Sequence, residues 1–537
     1  MAVTAASPSQ PKRTHVTASV SPLTYDQAVA TRPRPWGVFA AAWLLFSLLA
    51  ASWSLATPIA ASPDEPAHIV KAASVVRGQL VGEASFLGHV VQVPRYIAST
   101  QSETCFAFKP EVTADCAVPL PGPGGEIVDG TTTAGLYNPV YYALVGWPSL
   151  LASDASGIYA MRIVSGVLTS LFLAFSAMLA YSWTRNRLPL AAIALATPPM
   201  VLFLAGSVNP NGLETAATLA VFAGMLTITL QPNPTRLTER SMIVLAAAAV
   251  AVNTRGLSPL WIAFAVLLPL VLLNWEQIRA LIVKPAVLVA AGGTAVAAAF
   301  AVFWLMHSSS LTSAINNEDS FQQFPAVGES SLTGFTLILR ATLGYAQDMI
   351  GNFGWLDTAA PQSVYFVWSV FVGALLLAAF ALLRGRPLLL ALALVGTFTL
   401  VPAIIQGFYV TGGGLIWQGR YALPLFGYLV FGIAALVSNR IDSAPRSVMR
   451  RLALFAWSCW AIAQYFSFAF ALRRYTVGFD GAWRDILFSA NWNTSGGNLL
   501  WLGLFAVLLA VTGWFGWRLG EGDLPGRSEY HPGKLIP

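Results

Sequence analysis

Twelve long apolar runs dominate this chain of 537 residues, only 10% of which are charged. So few charges cannot cover a water-soluble protein of this size, so much of its surface must face lipid. A spanning helix needs about 20 mostly apolar residues to cross a hydrocarbon core of about 30 Å. No water reaches that core, so the backbone must satisfy its own hydrogen bonds. Runs this long do so as helices, and the short alternating strands of a barrel are absent. The expected fold class is an all-α polytopic membrane protein with about 12 transmembrane helices, any count from about 10 to 13 being open.

The expected spans are 36–57, 157–183, 188–206, 211–230, 241–253, 257–273, 284–306, 363–383, 387–406, 418–437, 452–471 and 499–518. The fifth and sixth are short and meet at Asn253-Thr254-Arg255-Gly256, so they read equally as one broken hairpin. Residues 137–152 contain Pro139 and Pro148 and read as a surface or re-entrant helix, since a span there would invert everything downstream. Counted on these spans, 19 of the 30 basic residues but only 7 of the 24 acidic ones fall on the side of the amino terminus. Basic residues beside short loops stay in the cytoplasm, so both termini are expected there.

This divides the chain into a disordered cytoplasmic tail (1–35), a multi-span membrane domain (36–518) and a second cytoplasmic tail (519–537). The membrane domain carries three long extracytoplasmic segments, 58–156, 307–362 and 472–498, with short amphipathic helices expected in them. Arginine makes up 25 of the 30 basic residues and alanine crowds the apolar runs, a usage that points to a bacterial plasma membrane. The net charge of +6 is spread over short loops rather than clustered, so the lipid bilayer is a partner and nucleic acid is not. Cys105 and Cys116 share the first extracytoplasmic segment, where a disulfide is permitted; two free thiols are the other reading. Cys459 reads as a small buried hydrophobe.

The stretch Ser62-Pro63-Asp64-Glu65-Pro66-Ala67-His68 directly follows the first span. Read structurally, Ser62 caps a helix, Pro63 opens it and Glu65 completes a capping box, giving an amphipathic helix on the outer membrane surface. Read chemically, Asp64, His68 and Lys71 project together, and a carboxylate there could take a proton from a hydroxyl. Gln418-Gly419-Arg420-Tyr421 opens the tenth span. Arg420 there either holds an anion such as a phosphate or snorkels beside Trp417 and Tyr421. Asn211 with Glu214 reads as a cap on the fourth span, and Tyr137-Asn138-Pro139 as an interfacial belt. Trp355 and Asp357 place an aromatic and a carboxylate in the second large outer segment. Phosphate-loop, dinucleotide, zinc and nucleophile-elbow motifs are absent.

Pro63-Asp64-Glu65-Pro66-Ala67-His68, Tyr137-Asn138-Pro139 and Gln418-Gly419-Arg420-Tyr421 with Pro424, in that order, resemble the bacterial domain-of-unknown-function 2142 family of membrane proteins. That family looks like a branch of the GT-C superfamily of polytopic glycosyltransferases, and the resemblance covers roughly 36–520. It implies a GT-C-like fold, a polyprenyl-phosphate-linked sugar as donor, and transfer outside the cytoplasm to a glycan or lipid acceptor. It makes Asp64 the base and leaves Glu65 to position acceptor or water, or to share a divalent metal. Chemistry and placement add His68 to orient the carboxylates, with Arg420 and Lys71 toward the donor phosphate. Tyr137, Asn138, Asn211, Trp355, Asp357, Gln418 and Tyr421 are candidates to line the substrate cavity. The rivals are a transporter or flippase of a lipid-linked or amphiphilic substrate, and a non-catalytic scaffold for envelope assembly. Neither internal repeats nor duplicated halves of the kind transporters carry are visible.

Overall fold

The computed structural model describes residues 35–183, 187–308, 324–441 and 445–521. The expected tails, beyond their membrane-proximal ends, and part of the second outer segment lie outside the described residues.

Every apolar run is helical. We label the helices α1 Pro35–Ala56, α2 Glu65–Val75, α3 Pro139–Gly146, α4 Ala155–Tyr181, α5 Leu188–Leu195, α6 Pro199–Ala205, α7 Pro210–Leu230, α8 Leu237–Ala251 and α9 Ser258–Leu270. They continue as α10 Trp275–Ile282, α11 Pro285–Ser308, α12 Ser331–Arg340, α13 Thr342–Gly351, α14 Gln362–Leu382, α15 Arg386–Gly413, α16 Leu423–Ser438, α17 Arg446–Val477 and α18 Asn498–Glu521. Among the described residues, nine helices are long and apolar enough to span a membrane, and up to ten if the bent pair α5–α6 counts as one. The expected twelve is therefore reduced by α8 and α9, which have only 15 and 13 residues. At 1.5 Å per residue they measure about 22 and 20 Å, short of a 30 Å core. α3, eight residues long, is far too short to span.

The protein is a multi-pass helical membrane protein. α1 packs along α4, α4 along α7, and α7 against α8, α9 and α16. α7 and α16 are almost wholly buried, whereas α11 and α14 leave most of their apolar surface exposed. That division is expected of a bundle whose inner helices meet protein and whose outer ones meet lipid.

The first long loop segment departs from expectation in two ways. It carries a three-stranded antiparallel sheet, Glu83–Ser85, Gly88–Pro94 and Ile127–Thr132, rather than amphipathic helices alone. Val90 pairs with Thr131 and Gln92 with Asp129 across the second and third strands. The sheet and α3 pack against α2, so α2 is buried along its whole length and is not an amphipathic surface helix. The capping box does not form either: Asp64, not Ser62, is the cap residue, and it makes no side-chain cap hydrogen bond.

Candidate functional site

Asp64 sits in the left-handed region, at φ 63° and ψ 3°, with its carbonyl accepting from His68 N at 3.1 Å. Such a backbone costs a residue with a Cβ about 1–2 kcal/mol, so its surroundings must hold it there. They do so carbonyl by carbonyl. Arg162 of α4 donates to the carbonyls of Ser54, Thr57 and Pro58. Trp355 Nε1 donates to Ala60 O at 2.9 Å, and Tyr475 OH to Ala61 O at 2.8 Å. Asn209 Nδ2 and Arg420 Nη1 both reach Pro63 O, at 3.1 and 3.2 Å. The strap from α1 to α2 is thus gripped by side chains from five other places in the chain.

At the end of this strap the Asp64 carboxylate, 48% exposed, accepts from the Nη2 of Arg420, which is 1% exposed, at 2.5 Å. Burial by itself would raise the Asp64 pKa, but Arg420 beside it, helped by Arg255, holds the carboxyl below its ordinary 3.8. One turn along α2, His68 is pushed down to about 3 by burial, so its imidazole is neutral. His68 Nδ1 lies 2.9 Å from Tyr142 OH, while its buried Nε2 has no hydrogen-bond partner among the described residues. Arg420 is also fixed by Gln418, whose Oε1 accepts from Nε at 2.7 Å. Tyr421 stacks beneath two guanidiniums, with Arg255 at 4.6 Å and Arg420 at 5.3 Å from its ring centre. Tyr137 lies 6.2 Å ring to ring from His68, and burial raises its phenol. Asn138 donates to Asn253 at 2.9 Å, tying the start of α3 to the turn that carries Arg255.

Asp64, His68, Tyr137, Asn138, Gln418, Arg420 and Tyr421 therefore come together from three separated stretches of sequence. Other expected members do not join them. Glu65 is fully buried and bidentate to Arg162, at 2.7 and 2.6 Å, and also accepts from Val208 N, so it belongs to the fold rather than to the open site. Lys71 donates to the carbonyls of Leu80 and Gly135 and is not beside a carboxylate; burial lowers it to about 7. Asn211 does not cap α7: Asn209 does, accepting from Asn211 N at 3.0 Å and bonding its side chain at 2.8 Å. Asp357 pairs with Arg474 at 3.0 Å, in a second cluster where Arg474 also grips the carbonyls of Phe106, Lys109 and Val112. Cys105 and Cys116, whose Cα atoms are 6.1 Å apart, are disulfide-bonded and enclose that gripped loop. Arg420 does not snorkel.

Three charged residues carry no functional reading in the sequence: Glu214 reads there as part of a cap, Arg255 as part of a hairpin joint, and Arg162 not at all. Arg162 is embedded in α4, Glu214 in the first turns of α7, and Arg255 in the joint between α8 and α9. An ionisable residue inside or against an apolar run is costly enough to signal a partner, and that signal was present for all three. Glu214 accepts from Ser258 Oγ at 2.5 Å and lies 3.8 Å from Arg255 Nε. No group of three or more His, Cys, Asp or Glu able to hold a metal ion occurs among the described residues.

The family described as a predicted membrane protein, DUF2142, matches residues 44–429. The chain belongs to this family. The matched stretch contains Asp64, His68, Arg255 and Arg420, and ends before Arg474 and Tyr475. No match is found among curated proteins. Among solved structures, ArnT from Cupriavidus metallidurans bound to undecaprenyl phosphate is similar at 16% identity with a TM-score of 0.39, over 90% of this chain and 76% of that one. Its apo state is similar at 16% identity with a TM-score of 0.38, over 90% and 77%.

Proposed function

We propose that this protein is a membrane glycosyltransferase that moves a sugar from a polyprenyl-phosphate-linked donor to a cell-envelope acceptor, with Asp64 as base. The observation that carries the reading is the Asp64–Arg420 pair: a half-exposed, ionised carboxylate held by a buried guanidinium, beside a neutral imidazole and a second guanidinium. The resemblance of the Pro63–His68 motif and its companions to a family that looks like a branch of the GT-C superfamily supports the same reading. The excess of basic residues on the opposite side supports a site outside the cytoplasm of a bacterial plasma membrane.

In the proposed reaction the acceptor hydroxyl loses its proton to Asp64 while its oxygen bonds to the anomeric carbon. The bond from that carbon to the phosphate oxygen breaks, and the lipid phosphate leaves with the electron pair. A carboxylate held below 3.8 is a weak base, so it takes the proton only as the new C–O bond forms. His68, neutral, contributes an orienting imidazole rather than a charge.

The test is transfer of radiolabelled sugar from a polyprenyl-phosphate donor by the purified full chain in nanodiscs. Asp64→Asn should lose transfer while membrane expression and melting temperature stay near wild type. Full activity in that variant would sink the mechanism, and substrate transport with no transfer by wild type would replace the reading with that of a transporter.

A further inference from the structure

The sequence nominated Arg420 to meet the donor phosphate, but its guanidinium is 1% exposed and already engaged by Asp64, Gln418 and the Pro63 carbonyl. Arg255 presents the opposite case. Its side chain is 17% exposed, and among the described residues its guanidinium makes no hydrogen bond. Glu214, its nearest acid, is 3.8 Å from Nε, and that carboxylate is fastened to Ser258 at 2.5 Å. Glu214 therefore offsets the charge of Arg255 without satisfying its donors. Tyr421 supports the flat face of the guanidinium at 4.6 Å, and the Asn138–Asn253 bond at 2.9 Å anchors the turn that carries it. A planar, supported guanidinium with unsatisfied donors can receive an oxyanion bidentately.

The geometry points to Arg255, at the joint of α8 and α9, as the side chain that binds the phosphate oxyanion of the lipid donor, while Arg420 positions Asp64. This rests on the transferase reading for its ligand class, but not for its measurement. The two arginines then divide the work: one stays bonded to the base, and the other meets the leaving group and takes up the charge it gains.

The experiment is binding of farnesyl phosphate to the detergent-solubilised full chain, with farnesol and inorganic phosphate as separate arms. Wild type should bind the lipid phosphate and not the alcohol. Arg255→Gln should weaken binding at least tenfold and Arg255→Lys by less, since lysine keeps the charge but loses the fork. Inorganic phosphate should compete against the lipid in wild type and lose that ability in Arg255→Gln. Should the single variant misfold because Glu214 is left unpaired, the double variant Arg255→Gln with Glu214→Gln restores neutrality and should fold but still bind weakly. Wild-type affinity in either Gln variant, or undiminished competition by inorganic phosphate in them, overturns the assignment. No sugar is present, so a chain that binds through Arg255 yet transfers nothing would refute the transferase alone. A chain that transfers sugar with Arg255-independent binding would refute this assignment alone.

Discussion

Asp64 and Glu65 are neighbours in sequence, each paired with one arginine, and they have opposite fates. Glu65 and Arg162 are both 0% exposed, and every donor of that guanidinium is matched to a carboxylate oxygen or to a carbonyl of the strap. Asp64 meets a guanidinium just as buried but leaves 48% of its own side chain open. The left-handed backbone at Asp64 is what separates them, turning one carboxylate inward to hold α1, α2 and α4 together and the next one outward. One pair is closed and can only support the fold, while the other has an open side where a reactant can approach.

If that contrast is right, matched substitutions should affect different measurements. The largest effect belongs to Asp64: Asp64→Asn should cut sugar transfer by about 10²–10⁴-fold, the range for loss of a positioned base, with little change in yield. Glu65→Ala should do the reverse. Removing one partner of a fully buried ion pair typically costs about 3–5 kcal/mol, so the variant should express poorly and melt early. Thermal melts and single-turnover assays on both proteins read the difference. A well-folded, inactive Glu65→Ala protein would erase the distinction and make the two acids one catalytic pair.

The membrane architecture was plain in the sequence because hydropathy over 20 residues reports directly on the cost of burying backbone in lipid. The Asp64–Arg420 juxtaposition was half legible: each residue stood out locally, but nothing local says that positions 356 apart will touch. What misled was treating 58–156 as a surface layer. Pro63, Glu65 and the apolar Ile69, Ala73 and Val76 fit an interfacial helix equally well, and only the sheet that covers α2 decides otherwise. Arg162 and Arg255 stand outside every chemical motif, and Glu214 fits a helix cap equally well. A list of ionisable residues in or beside apolar runs would have found them.

The strap that fixes Asp64 offers the next way to sharpen the comparison. Arg474 grips the disulfide-closed loop 105–116, and the adjacent Tyr475 holds the Ala61 carbonyl. Replacing both Cys105 and Cys116 by Ser should destabilise the protein by about 2–4 kcal/mol, as for a short closed loop. Transfer in the surviving folded fraction should fall less than in Asp64→Asn, because Arg420 and Asn209 still hold Pro63. Tyr475→Phe removes one hydrogen bond and should cost about 1 kcal/mol in a melt.

The smallest effect is the pH dependence of the open pair. The folded pKa of Asp64 lies below its ordinary 3.8, so the stability it lends is fully present above that ordinary value and is lost as pH falls through the folded one. The melting-temperature gap between wild type and Asp64→Asn should therefore stay level from pH 8 to about 5 and close only below about pH 4. With half of the carboxylate in solvent, that gap should stay within about 1 kcal/mol. The acid limb of the transfer rate should follow the same ionisation. A gap that widened as pH fell through 6 would mean that His68 gains its charge beside Asp64 in its ordinary range, and hence that α2 is hydrated rather than sealed beneath the sheet.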